Sequence, residues 1–140
     1  DGREYLDFLG GIAVAALGHC HPRVTEAICR QAGELVHVSN LYYTRPQTEL
    51  AELLVANTFA DKVFMANSGA EANEAAIQLA RSYQDAPKVL TRWQSYHGAT
   101  YGAAALTGDP STRSTVEKYA ATTGHGKFLP PLTEFVDPAL

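Results

Sequence analysis

From Lys62 onward the chain alternates short β-prone runs with helix-forming runs, and that alternation is the strongest constraint on its fold. "KVFMAN" (Lys62 to Asn67) leads into "AEANEAAIQLARSYQ" (Ala70 to Gln84), then "KVLTRW" (Lys88 to Trp93), then the glycine-flanked alanine segment "GATYGAAAL" (Gly98 to Leu106). Strand, helix, strand, helix in that order is the signature of a mostly parallel α/β sheet, because parallel neighbours must be joined by a crossover, usually helical.

Upstream the pattern is different. Asp1-Gly2 is a turn signal, and "REYLDF" (Arg3 to Phe8) mixes aromatic and polar residues as a short half-buried strand does. Pro22 suits a first helical position, and Val24, Ala27, Ile28, Ala32 and Leu35 then share one helical face, so the spacing predicts a helix over 22–35. Pro46 introduces a second amphipathic helix that runs to Asn57, with Leu50, Leu53 and Leu54 on one side. "LVHVSNLYYT" between them is irregular and aromatic. The expected organisation is an N-terminal helical and strand arm over residues 1–57, followed by the start of a large α/β domain over 58–140. The tail, with Pro110, Pro130, Pro131 and Pro138, carries no periodicity.

Composition narrows the function classes. A chain of 140 residues with 46% hydrophobic residues and a net charge of -4 reads as a soluble globular unit. It has no clustered Lys and Arg of the kind that phosphate-backbone binding requires, so a nucleic-acid partner is not expected. The longest purely apolar run, Ile12 to Leu17, is far short of the roughly 20 residues of a membrane helix, and nothing at the start resembles a signal peptide. A cytoplasmic setting follows as the expectation, with Cys20 and Cys29 as free thiols. "HCH" (His19 to His21) places three potential ligands side by side, where they rarely reach one metal, and no second cluster follows, so no metal site is expected. The chain opens at Asp1 without a methionine and reads as a piece of something longer.

Two segments carry chemistry. In "MANSGAEANEAA" (Met65 to Ala76), Ser68 and Glu71 stand three apart at a helix start, the spacing of a capping box, which needs no ligand to explain it. The same strand-to-helix turn, through Ser68, Gly69 and Ala70, also presents free backbone N–H groups and the positive end of a helix dipole, with a glycine that lets a ligand approach the backbone. That is a phosphate cradle without the G-x-G-x-x-G spacing or the P-loop lysine of nucleotide sites. In "WQSYHGAT" (Trp93 to Thr100), Tyr96 and His97 follow the carboxyl end of a strand, where open α/β sheets bind ligands and where a flat ring suits stacking on a planar cofactor. An aromatic packed under a loop is the plainer account of that pair.

Taken in order, "DGREYLDFLGGIAVAALGHCHPRV", "SNLYY", "NSGAEANEAAIQLAR" and "SYHGAT" resemble the class III aminotransferases (ornithine, acetylornithine and ω-amino acid group), pyridoxal-5'-phosphate enzymes of fold type I. The resemblance spans Asp1 to Asp109. It implies a partial fold type I large domain that takes pyridoxal-5'-phosphate, with an amino donor and a 2-oxo acid as substrates and a homodimer or larger homo-oligomer as the assembly. The loop Ser68-Gly69-Ala70 would hold the cofactor phosphate, Tyr96 would stack on the pyridine ring with His97 beside it, and Tyr43 would approach the substrate. Ala99 stands where acetylornithine and ornithine members commonly carry an arginine that grips the substrate carboxylate. A methyl group does not replace that contact, so the donor expected is an ω-amino acid or amine. Fold type I enzymes draw the Schiff-base lysine from later strands, and none of Lys62, Lys88, Lys118 and Lys127 fits its motif. The chain alone is therefore expected to lack a catalytic lysine; a truncated or designed fragment that keeps the fold and a phosphate site without turnover is the alternative reading.

Overall fold

The computed structural model describes residues 1–115 and 133–136. The chain forms two compact units, Asp1–Ala60 and Asp61–Leu140.

The first unit holds a single turn, α1 (Gly10–Ala13), and two helices, α2 (Pro22–Glu34) and α3 (Arg45–Asn57). Both helices begin on proline at the first or second position, as the sequence predicts, since the missing N–H would have no intrahelical acceptor there. Neither helix has a buried residue, and the apolar face of α2 stays open at Val24 and Ile28. In α1 the backbone is left-handed through Gly10, Gly11, Ile12 and Ala13, with φ of 55°, 63°, 60° and 61°. The two glycines adopt that region without steric cost; Ile12 does not. Asp7 braces the segment: Oδ1 accepts from the Leu9 and Gly10 amides, each at 2.9 Å, and Oδ2 lies 2.6 Å from His19 Nε2. The Gly10 amide first, then His19, holds the Asp7 carboxyl below the usual range.

The strand expected at Arg3–Phe8 is absent. The segment is irregular and exposed, and the Asp7 carboxylate binds the amides that follow it instead of a strand partner doing so. The strand expected at Lys62–Asn67 is absent too, although Val63 and Met65 are half-buried while Lys62, Phe64 and Ala66 are exposed. That period-2 alternation is the side-chain pattern of a strand without ladder bonds to a neighbour among the described residues.

The second unit contains α4 (Gly69–Gln84), β1 (Val89–Arg92), α5 (Tyr101–Leu106) and β2 (Thr133–Val136). β1 and β2 pair in parallel, with Val89 opposite Thr133 and Arg92 opposite Val136; the alternation predicts a parallel sheet, but Lys62–Asn67, one of the two strands that carry the expectation, has no place in this ladder. Its second strand lies in the tail that shows no periodicity. α4 ends at Asp85 in the left-handed region, φ 47°, and Arg81 in its last turn donates Nε–H to the Pro87 carbonyl at 2.8 Å. The described core centres on α5: Ala103, Ala104, Ala105 and Leu106 are buried with Ile77 of α4 and the hydroxyl residues Thr91 and Thr107. Small alanines let α5 approach its neighbours closely. Thr91 is tolerated inside because its Oγ1 donates to the Leu106 carbonyl at 2.8 Å.

Candidate functional site

Ser68 ends an extended approach and caps α4. Its Oγ accepts from the Glu71 amide at 3.2 Å. Glu71 reaches back, but one residue further than a strict capping box: its Oε2 accepts from the Asn67 amide at 2.7 Å and from Asn67 Nδ2 at 2.9 Å. Ala72 donates to the Ser68 carbonyl at 3.0 Å, which closes the first turn. The Gly69 and Ala70 amides then belong to the group of first-turn donors that have no intrahelical acceptor. A Cβ built at Gly69 meets nothing within 4 Å, so its missing side chain leaves open space beside those amides.

The loop leaving the carboxyl end of β1 brings Tyr96 and His97 against this helix start. Gly69, Ala70, Asn73, Tyr96, His97 and Ala99 line one open hollow of about 600 Å³, together with Gly98 and Thr100. Of the residues singled out in the sequence, five meet there: Gly69, Ala70, Tyr96, His97 and Ala99. Ser68 shapes the hollow by capping α4 and does not line it. Tyr43 belongs to the other unit and is 95% exposed.

Sequence reasoning missed the residues that hold the loop. Asn73 Nδ2 donates to the His97 carbonyl at 2.7 Å. Glu74 Oε1 accepts from Thr100 Oγ1 and the Gly102 amide, each at 2.7 Å, and from the Ala103 amide at 3.1 Å. The Glu74 carboxyl sits below the usual glutamate range; the Thr100 hydroxyl is the largest cause, and partial burial opposes it. Buried Thr107 accepts from the His97 amide at 3.0 Å, and its own hydroxyl lies 3.0 Å from the Gly98 carbonyl and 3.1 Å from that of Ala103. These partners are separated by up to 29 positions, so no local spacing announces them. The signal available was chemical: polar Asn73 and Glu74 follow directly on the helix start, where a half-buried carboxamide and carboxylate need partners.

Free helix-start amides, an exposed tyrosine ring on a loop leaving a strand's carboxyl end, and a glycine gap between them give this α/β unit a hollow whose chemistry suits an anionic group attached to a flat ring. The family model for class III aminotransferases matches residues 1–137, and the chain belongs to that family, whose members are pyridoxal-phosphate enzymes of fold type I. Acetylornithine aminotransferase of Caldanaerobacter subterraneus subsp. tengcongensis is 48% identical over 96% of this chain and 33% of its own length. Acetylornithine aminotransferase of Neisseria meningitidis serogroup A is 52% identical over 79% of this chain and 29% of its own. Among solved structures, taurine:2-oxoglutarate aminotransferase of Bifidobacterium kashiwanohense, in complex with PLP and glutamate, superposes with a TM-score of 0.81 at 32% identity, covering 98% of this chain and 29% of that one. Ornithine aminotransferase of Toxoplasma gondii ME49 gives 0.79 at 29% identity, covering 98% and 32%. The chain thus spans about a third of the curated relatives it matches. Among the described residues no group of His, Cys, Asp and Glu is arranged to hold a metal, and no helix is long and apolar enough to cross a membrane.

Proposed function

We propose that this chain contributes the phosphate cradle and ring-stacking face of an aminotransferase that moves the amino group of an ω-amino acid or amine to a 2-oxo acid. The observation that carries the reading is that the Gly69 and Ala70 backbone and the Tyr96 ring line one hollow in a member of the class III family. The residues present fit pyridoxal-5'-phosphate: two unengaged amides and the positive end of α4 suit the phosphate, and the open space at Gly69 lets it close on the backbone. Ser68 Oγ, which accepts from Glu71, still has a proton to donate. The Tyr96 ring is 67% exposed, with a face available to cover the cofactor ring and shield it from water. Bound there, the cofactor supplies the carbonyl carbon and the electron sink of amino-group exchange.

The preference for the donor rests on Ala99. It lines the hollow and offers no cation to a substrate carboxylate. The assignment of Tyr43 to the substrate rests on the resemblance alone. A homodimer or larger assembly is part of the proposal, and the exposed Phe8, Ile12 and Phe59 supply apolar surface for it.

The alternative, a chain that binds phosphate without turnover, has one observation in its favour: of the two lysines among the described residues, Lys62 and Lys88, neither lines the hollow. Lys118 and Lys127 lie outside the described residues. Adding pyridoxal-5'-phosphate to the full-length protein that carries this chain, then reducing with borohydride and mapping the label, tests both. A lysine labelled outside these 140 residues, with amino transfer, supports the first reading. Labelling at one of the four lysines named above, with turnover by the chain alone, contradicts both.

A further inference from the structure

The hollow is built from two segments far apart in sequence, and two adjacent side chains of α4 tie them together. Asn73 takes the His97 carbonyl, one residue after Tyr96. Glu74 takes the Thr100 hydroxyl where that loop ends and the Gly102 and Ala103 amides in the first turn of α5. Between these anchors Gly98 closes on Ala70, itself in the first turn of α4. Thr107 braces the loop through the His97 amide. Asn73 and Glu74 are half-buried, so their bonds are partly shielded from competition by water.

We propose that Asn73 and Glu74 are positioning residues that fix the stretch directly after Tyr96, from His97 to the start of α5, to α4, so that the tyrosine ring and the first-turn amides meet a ligand as a preset pair. The inference rests on the cofactor reading above. Because two-thirds of Tyr96 is open to solvent, its orientation comes from the backbone that carries it more than from packing around it. That backbone is held one residue away by Asn73. A ligand with a phosphate at one end and a ring at the other gains from both contacts only if their spacing is already set; otherwise ordering the loop is charged against binding. A phosphate alone uses only the amides of α4 and is indifferent to the loop.

That difference gives the test. In the full-length protein carrying this chain, Asn73→Ala removes the donor without adding a charge to the hollow. Glu74→Gln keeps an acceptor oxygen, and Glu74→Ala removes it. Three quantities are read for each: affinity for pyridoxal-5'-phosphate, affinity for inorganic phosphate, and the visible circular dichroism of the bound cofactor at saturation, which reports whether its ring is held in one orientation. Asn73→Ala and Glu74→Ala are expected to weaken the cofactor on the order of tenfold and reduce its dichroism, with phosphate affinity unchanged and Glu74→Gln retaining most of the native affinity. Equal loss of phosphate and cofactor affinity, or unchanged dichroism and affinity in both variants, overturns the inference. Should Glu74→Ala fail to fold, Asn73→Ala and Glu74→Gln carry the same comparison. A wild-type protein that shows no visible band with added cofactor overturns the cofactor reading itself, an outcome distinct from a normal wild type with indifferent variants.

Discussion

Gly98 lies so close to Ala70 that a Cβ added to the glycine would stand 2.6 Å from the Ala70 Cβ and 3.0 Å from its Cα. Its φ of +127° is also a conformation that side chains rarely adopt. The contact joins the aromatic loop to the helix start, and the two walls of the hollow share it. Gly98→Ala should therefore destabilise the fold by roughly 1–3 kcal/mol, through strain and through separation of the two segments. Denaturant unfolding beside Gly69→Ala, whose Cβ meets nothing within 4 Å, checks this. Equal stability of the two variants would contradict the packing described.

Gly69 makes the opposite case. Nothing in the fold demands a glycine there, so Gly69→Val should fold normally and yet lose affinity for both pyridoxal-5'-phosphate and inorganic phosphate, because the new side chain occupies the space beside the amides. Ser68→Ala should cost about 1 kcal/mol of stability through the lost cap, together with weaker anion binding. Unchanged cofactor affinity in Gly69→Val would place the cradle elsewhere.

Elements that announce themselves locally were legible in the sequence. Pro22 and Pro46 mark the starts of α2 and α3 to within one residue, Ser68 marks that of α4, and the run from Lys88 to Trp93 contains β1. Strands that depend on a distant partner were not legible in this way. Arg3–Phe8 and Lys62–Asn67 have β-prone compositions, but a strand exists only where a neighbour accepts its ladder bonds, and composition says nothing of the neighbour. β2 fails in the other direction: "TEFV" is too short to show a period, and its pairing with β1 spans 44 positions from Val89 to Thr133. The helix start at Ser68 and the aromatic loop beside it were readable because each is one short motif. Asn73, Glu74 and Thr107 were not, since their roles consist of bonds to residues far along the chain.

Tyr96 should act through its face. Tyr96→Phe keeps the ring and should change cofactor affinity little, whereas Tyr96→Ala should lose about 1 kcal/mol or more of stacking. Equilibrium dialysis of pyridoxal-5'-phosphate against the three proteins decides it. Equal losses from both changes would assign the contact to the hydroxyl.

Glu74 gives a pH signature. Its carboxyl is held below the ordinary glutamate value by the Thr100 hydroxyl before any other group. A depressed folded-state value means that the charged carboxylate stabilises the fold above the unfolded value of about 4.3, and that this contribution disappears as pH falls through the lower folded value. Glu74→Gln cannot titrate. The stability difference between the native protein and Glu74→Gln should therefore be constant above about pH 5.5 and shrink on acidification below that. A gap that is flat down to pH 3 would show that the Thr100, Gly102 and Ala103 donors do not favour the charged form.

Ala99 bears on the donor, and here two lines of reasoning pull apart. The curated relatives named above are acetylornithine aminotransferases, yet the residue after Gly98 is alanine, where the resemblance places an arginine for the substrate carboxylate in that group. An arginine fork binds a carboxylate through two charge-assisted hydrogen bonds, and a methyl group supplies neither. If the residue at this position sets the choice, the full-length protein should prefer a simple ω-amino acid or amine to acetylornithine. Ala99→Arg should then raise kcat/KM for acetylornithine on the order of tenfold or more, the equivalent of one good charged contact, while amines lacking a carboxylate gain nothing. The geometry allows the added side chain, since Ala99 is exposed at the rim of the open hollow. The decisive measurement is kcat/KM for acetylornithine and for an ω-amino acid or amine donor, in the native protein and in Ala99→Arg. A strong native preference for acetylornithine, unaltered by the substitution, would mean that another cation grips the carboxylate and that Ala99 does not choose the donor.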